Sequence, residues 1–547
     1  MHILFIISTL LSLLRMAAST ITDRGGRWDL LLNNSGVVAM HMALTHRNTV
    51  VIFDQTRSGP SGYRLNSRKS CYFNDDGDTN DNPTTCWAHS VEYDISSNTI
   101  RPLVLRSDTW CSSGAFLSSG TLLQTGGHGN GIRKIRYFRP CTDKKCSWTE
   151  SKSLLEDSRW YATNQILPEK DRVFVIGGLK VFTYEFIPKS PNDEGSFNLP
   201  FLRQTRNYKE KGDNLYPFVH LSVDGHLFIF ANRDSILFNY KTHKVAKEFP
   251  RMPGNGARSY PGTGSSVMLP LDYADGYNKT EIMVCGGGAP GAYQASRKHK
   301  FLEGLKSCGR IVITDDDSRW LMEEMPGPRI MSDMLILPTG DILIINGAHQ
   351  GCAGWNKAKR PAYKPYLYKP NKRPSKKRFS ILNSSNIARM YHSSAILLPD
   401  GRILVAGSNP YKRYTFHNVK YPTDLRMEAF SPYYLDTALD DRRPSNVSVD
   451  DEIKYGQEFG VKFELKNVRR WVKFVVYAPP FATHSLSMNQ RMVSLECVGI
   501  EREESGAVTA MVVAPPSARV APAGYYMFTV VNERVPSKSV WVKFVHG

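Results

Sequence analysis

Tyr391 and His392 stand side by side in the segment Arg-Met-Tyr-His-Ser-Ser, and a phenol next to an imidazole is a pair of ready-made metal ligands. Three other segments carry candidate partners: Trp110-Cys111, Arg159-Trp160-Tyr161 and Thr483-His484. Two imidazole nitrogens and two phenolic oxygens form an N/O set suited to a tetragonal Cu(II) centre, whereas a structural zinc would draw on thiolates and imidazoles in a tetrahedron. The chemistry within reach of these residues is therefore redox chemistry on copper. It requires elements that bring distant positions of the chain to one point.

Such elements are present. Seven short β-rich apolar runs ending in Gly or small residues start at Thr49, Gly120, Arg172, Gly225, Glu281, Gly340 and Gly401. From the second onward their starts are 52, 53, 56, 59 and 61 residues apart, close to the roughly 50-residue period of kelch propeller blades. Several follow a turn tripeptide (Ser-Ser-Gly at 118, Val-Asp-Gly at 223, Pro-Thr-Gly at 338, Pro-Asp-Gly at 399) and an earlier apolar run, which is a hairpin signature. No helical stretch of comparable clarity appears. Residues 22–435 thus read as an all-β, seven-bladed kelch-type propeller, with an irregular β-sandwich as the alternative.

Residues at one phase of a cyclic repeat form a ring about its axis. Counting back from the anchors by nine to eleven residues gives Cys111, Tyr161, Tyr216, Ile330, Met331, Tyr391 and His392. These side chains should converge at the mouth of the central channel. A regular strand points successive side chains to opposite faces, so Tyr391 and His392 can share one ion only if the chain there is a loop or strand end. Arg159, Arg258, Arg329 and Arg389 recur near the same phase. They are expected to bond to carbonyls or carboxylates of neighbouring blades, with one of them available to hold a carbonyl substrate.

After Pro432-Tyr-Tyr-Leu the repeat stops, and residues 443–547 alternate in short strands, the pattern of an immunoglobulin-like (early-set) β-sandwich. The Cys-Trp-Cys spacing of antibody domains is absent. His484 falls between two of these strands, where a loop could reach the propeller axis, although a histidine taken alone is more often a surface or packing residue.

Composition sets the compartment. Residues 3–14 form an apolar run followed by Ala17, Ala18 and Ser19, read as a signal peptide over residues 1–19 and too short to span a bilayer. Sequons at Asn33, Asn278, Asn383 and Asn446 mark expected glycosylation sites. Nine cysteines in an oxidising compartment should pair with one left over. Cys71 with Cys86 and Cys141 with Cys146 are the local pairs, and Cys285, Cys308, Cys352 and Cys497 should form two more in an open connectivity. The leftover is Cys111, beside the metal candidates. A net charge of +19 points to an acidic partner such as a polyanionic matrix, or simply to solubility. The run from Lys369 to Arg378 is interleaved with prolines and reads as an exposed loop. No nucleic-acid motif and no later membrane-spanning stretch occurs, and a monomer is expected.

With these motifs in place, the chain resembles the copper radical oxidases, specifically the plant glyoxal oxidase-like aldehyde oxidases related to fungal glyoxal oxidase and galactose oxidase. The resemblance rests on Asp108-Thr-Trp-Cys-Ser-Ser-Gly, Arg159-Trp-Tyr-Ala-Thr, Arg389-Met-Tyr-His-Ser-Ser-Ala and Thr483-His484, in that order. It implies one copper ion held by Tyr161, Tyr391, His392 and His484. It further implies that a Cys111–Tyr161 thioether carries the radical and that Tyr391 is the proton acceptor. The implied reaction oxidises a hydrated aldehyde and reduces O2 to H2O2. Tyr216 and Tyr260 are then candidate pocket walls. One departure stands out: galactose oxidase covers its thioether with a Trp after the glycine pair of the following strand, but here Leu179-Lys180 follow Gly177-Gly178. The competing hypothesis is a non-catalytic kelch propeller that binds wall glycans or a protein partner, and the convergence of five ligand-type residues weighs against it.

Overall fold

The structure, a computed structural model, describes residues 25–65, 71–73, 84–190, 195–373, 377–466 and 471–546. The expected signal peptide lies outside them.

Each of the seven anchor runs is the second of four consecutive antiparallel strands that make up a sheet, or in the first case most of a six-stranded one: Thr49–Phe53, Leu122–Thr125, Val173–Ile176, Leu227–Ala231, Glu281–Cys285, Ile342–Ile345 and Ile403–Gly407. Runs such as Ile-Leu-Ile-Ile form strands because β-branched side chains fit a pleated surface covered on both faces, and all four residues of Ile342–Ile345 are buried. In each sheet the strand before the anchor lies innermost; these inner strands are His41–Leu44, Ser113–Phe116, Thr163–Ile166, Phe218–Leu221, Ser265–Met268, Asp333–Ile336 and Ser393–Leu397. The seventh sheet draws on both ends of the segment. Its outer strand is Arg27–Leu32, paired with Met427–Ser431 so that Trp28 faces Phe430.

Neighbouring sheets are tied by backbone. Glycine amides after the second strands donate to the carbonyls of the recurring arginines one sheet further on: Gly127 to Arg159 (3.3 Å), Gly287 to Arg329 (2.9 Å) and Gly347 to Arg389 (2.7 Å). The close approach explains the glycines. At Gly126, φ is +71° and a Cβ would stand 2.1 Å from the Arg159 carbonyl oxygen. Gly126→Ala is therefore expected to destabilise the protein by on the order of 2–4 kcal/mol, combining left-handed strain with an overpacked contact. The urea midpoint is the measurement, and a shift under a quarter of that size would show that the sheets separate without cost.

The arginine side chains act differently from expectation. All four are buried, and each bonds within its own sheet rather than to a neighbouring one. Arg159 donates to Glu185 and to the Gly177 and Thr183 carbonyls, Arg258 to Gly286 and Ser307, Arg329 to Asn346, Ala362 and Lys364, and Arg389 to Glu428, Gly407 and Arg426. Most of their donors are engaged on the same sheet, while Nε of Arg258 and of Arg329 is buried without a hydrogen-bond partner.

The C-terminal strands form two facing sheets. Glu458–Glu464 alternates strictly between exposed and buried positions, and Phe459, Val461 and Phe463 meet Phe474, Val476 and Phe528 in a shared core. From this segment a short hairpin, Phe481–Thr483 and Leu486–Met488, leaves the sandwich and pairs with His41–Leu44. It adds two strands to the inner edge of the first sheet, and it touches the inner strands of the second, third, fifth, sixth and seventh sheets as well. The expected loop around His484 is thus a hairpin set among the inner strands.

Disulfides join Cys71 to Cys86, Cys141 to Cys146 and Cys285 to Cys308. Cys285 and Cys308 are direct cross-strand partners. The expected fourth disulfide does not form: Cys352 and Cys497 are free because one is buried among the N-terminal four-stranded sheets and the other lies on the half-exposed edge of the C-terminal sandwich. Cys111 is free as well. The basic run is less solvated than expected, since Arg378 is 13% exposed and pairs with Glu323. Its residues 374–376 lie outside the described set. The four sequon asparagines are exposed. Among the described residues no helix is long and apolar enough to cross a membrane.

Candidate metal centre

The lead-ins to the inner strands share one unusual conformation. Cys111, Tyr161, Tyr216, Thr263, Met331 and His392 all have positive φ, between 49° and 69°. Each sits one or two residues before an inner strand. Non-glycine residues avoid this region unless the surroundings impose it, and such imposed strain clusters at functional sites. Here the imposing contacts run from sheet to sheet: the Tyr161 amide donates to the Cys111 carbonyl (3.0 Å), Tyr216 to Tyr161 (3.0 Å) and Met331 to Thr263 (2.8 Å). This turn aims the side chains inward.

It also settles the orientation of the adjacent pair. The strand begins only at Ser393, so Tyr391 and His392 lie in the preceding turn with their rings stacked 3.8 Å apart. The hairpin delivers the remaining imidazole. His484 and Ser485 occupy its two-residue turn with φ of 47° and 73°, the geometry of a type I′ turn. His484 Nε2 lies 3.2 Å from Cys111 Sγ, and its Nδ1 lies 2.7 Å from Thr483 Oγ1. With Nδ1–H donating to Thr483, the Nε2 lone pair is left for a ligand. The ligand atoms of Cys111, His392 and His484 all fall within 4.8 Å of one another.

The phenols form a chain across the same space. Tyr260 stands between the other two, its hydroxyl 3.3 Å from that of Tyr161 and 2.9 Å from that of Tyr391. Tyr216 is set deeper, donating its hydroxyl to the Ser112 carbonyl at 2.9 Å with its ring 5.2 Å from that of His484. Tyr260 is thus positioned as a wall of the site and Tyr216 as its floor.

Whether these residues suit a copper ion turns on protonation. Burial, and then the charge of His41 on His392 and of His392 and His41 on His484, holds both well below the usual imidazole range, so both are neutral donors at physiological pH. Both nitrogens of His392 are buried with no hydrogen-bond partner. An orphaned imidazole in a polar pocket is costly unless something takes its lone pair. Burial raises the Tyr161 and Tyr391 phenols well above their ordinary value, and burial also pushes up the Cys111 thiol. A cation at the centre is what would release those protons. The donor set therefore fits copper.

The comparisons with known proteins agree. Residues 40–434 match the family "Glyoxal oxidase N-terminus", and residues 443–544 match "Galactose oxidase-like, Early set domain". The chain belongs to the glyoxal oxidase family. Members similar to it include aldehyde oxidase GLOX1 of Arabidopsis thaliana, 44% identical with 95% of this chain and 85% of that protein covered. Aldehyde oxidase GLOX of Vitis pseudoreticulata is 43% identical over 97% of this chain and all of that protein. Galactose oxidase of Gibberella zeae is more distant, 22% identical over 83% of this chain.

Within this glyoxal oxidase family chain, the gap left by Leu179-Lys180 is filled from another direction. Trp160 packs on Tyr161 with ring centroids 4.8 Å apart, while Leu179 donates its amide to the Trp160 carbonyl. Trp110 meets Trp160 at 4.8 Å and Trp355 at 4.9 Å, and His128 meets Trp160 at 4.3 Å. Four half-buried rings thus roof the site. Trp110 and Trp160 neighbour Cys111 and Tyr161 in the motifs, a usable signal; Trp355 and His128 have none. Lys211 also escaped the sequence pattern. Its Nζ is 3.5 Å from the Tyr161 hydroxyl, and burial pulls its ammonium below the ordinary lysine range.

Proposed function

We propose that the protein is an exported copper radical oxidase of small aldehydes of the glyoxal and methylglyoxal type, producing carboxylic acids and H2O2. The observation that carries this reading is the buried convergence of Cys111, Tyr161, Tyr391, His392 and His484 from three sheets and an inserted hairpin. The seven sheets are taken as blades of a propeller over residues 22–435 with the hairpin on its axis, and residues 443–547 as an early-set sandwich supplying one ligand. Tyr161, Tyr391, His392 and His484 would hold one copper ion, which when bound accepts and returns single electrons.

The chain's own groups do the rest. Cys111 Sγ and the Tyr161 ring lie together, placed to form a C–S bond with loss of two hydrogens to dioxygen. Sulfur conjugated to the ring lowers its oxidation potential, so Tyr161 holds the radical, and Trp160 shields it. Tyr391, hydrogen-bonded to Tyr260, takes the substrate proton. The hydrated aldehyde gives up two electrons and two protons and becomes an acid; dioxygen takes them and becomes H2O2. Three disulfides and the four exposed sequons support an oxidising, extracellular setting such as the wall space. The basic surface suits acidic wall polysaccharide.

Peptide mass spectrometry after copper loading in air tests the reading. The Cys111 and Tyr161 peptides should appear joined and lighter by two hydrogens than their sum. Separate, unmodified peptides after full copper loading would leave only a binding propeller.

A further inference from the structure

Among the described residues Lys211, at the mouth of the site, has no counter-ion. Its Nζ lies 3.5 Å from the Tyr161 hydroxyl and over the rings of Trp160 (5.6 Å), Tyr161 (5.2 Å) and Tyr260 (5.8 Å). The titratable groups coupled to it are the Cys111 and Cys352 thiols, Lys357 and His128, none of them a carboxylate. The acidic residues beside it in sequence are engaged elsewhere. Glu210 accepts the amides of Tyr293 (3.0 Å) and Gln294 (3.3 Å), and Asp213 accepts the Asn207 amide group at 2.8 Å. Ring faces ease a buried ammonium only in part, so the place beside Nζ is made for an anion.

We propose that Lys211 is a specificity-determining residue that holds the carboxylate of the substrate, making short aldehydes with a carboxylate on the adjacent carbon the preferred class. The size follows from the distances. A charge-assisted bond places a carboxylate oxygen about 2.8 Å from Nζ, and a reacting carbon must stand about 3–3.5 Å from the phenols that act on it. With Nζ only 3.5 Å from the Tyr161 hydroxyl, a carbon bonded directly to that carboxylate already comes within reach of the phenol. Longer acids would have to displace the aromatic roof of Trp160, Trp110 and Trp355.

This inference rests on the oxidase reading but is tested apart from it. Metal-free full-length protein is titrated with glyoxylate, and with glycolaldehyde as the neutral probe of similar size, following tryptophan fluorescence and heat. Wild type is expected to bind glyoxylate more tightly, with affinity falling as salt rises. Lys211→Met should weaken glyoxylate at least about tenfold and glycolaldehyde far less, and Lys211→Arg should recover most of the loss. In copper-loaded enzyme the glyoxylate to glycolaldehyde ratio of kcat/KM should fall by a similar factor, carried by KM. Unchanged glyoxylate binding in Lys211→Met, or an equal loss for both probes, overturns the proposal. A wild type that binds glyoxylate through Lys211 yet oxidises neither aldehyde would overturn the oxidase reading and leave the anion site standing.

Discussion

Cys111→Ser should lower aldehyde-dependent oxygen uptake by on the order of a thousandfold, about 4 kcal/mol in the activation barrier, while the fold stays intact. Cys111 is fully buried, held in a left-handed turn, and its sulfur touches His484 Nε2 at 3.2 Å. Serine is close in shape and its hydroxyl can bond to the same nitrogen, so packing around it is preserved. What it cannot do is join the Tyr161 ring. The phenol then keeps its ordinary, higher oxidation potential, and a site that needs that ring oxidised rarely reaches its competent state. Oxygen uptake, a melting curve and the absence of the joined peptide are the three measurements. Wild-type turnover in this variant would show the thioether to be dispensable.

Arg159→Met should cost about 3–5 kcal/mol of folding stability, as expected when one partner of a buried pair is removed. Arg159 and Glu185 both have fully buried side chains, with contacts of 2.8 and 2.9 Å between them. The guanidinium also serves the Gly177 and Thr183 carbonyls at 2.9 Å each. Methionine fills the volume but strands the carboxylate and two acceptors. Because Arg159 stands two residues before Tyr161, its loss also loosens the turn that aims that ring. Denaturant unfolding reads the effect, and adding Glu185→Leu should restore much of it. A single variant within about 0.5 kcal/mol of wild type, the range of ordinary surface changes, would mean that the pair is not what fixes the turn.

Much of this architecture was legible in the sequence, for a physical reason. Apolar runs closed by glycine and preceded by hairpin turns mark second strands wherever they occur, and all seven anchors became such strands. The period then placed Cys111, Tyr161, Tyr216, Met331 and His392 in one phase, and the structure gives all five the same left-handed turn. The demand that Tyr391 and His392 sit outside a strand was met. What stayed hidden depends on contacts remote in sequence. Phe-Ala-Thr at 481–483 has no local mark of a strand destined to pair with His41–Leu44. Lys211 lies between two sheets, His128 in the loop joining two strands of the second sheet and Trp355 in the turn of a hairpin inserted into the sixth, all out of phase with the repeat, and only the folded chain brings them over Tyr161 and Trp160. The recurring arginines were seen, but period alone does not tell whether a guanidinium turns to its own sheet or the next. Cysteine pairing has the same character: Cys285 meets Cys308 because their strands are neighbours, while Cys352 and Cys497 belong to different layers.

The hairpin that carries His484 has a temporal meaning. Synthesis delivers Cys111 first, then Tyr161, Tyr391 and His392, and only near the end of the chain the segment with His484. The seventh sheet itself cannot be completed until Met427–Ser431 returns to Arg27–Leu32. A nascent chain therefore displays phenols and one imidazole for some time without the group that finishes the set. In a copper radical oxidase of this build, the late-translated hairpin would be the safety catch, deferring oxidising chemistry until most of the molecule around it has been made.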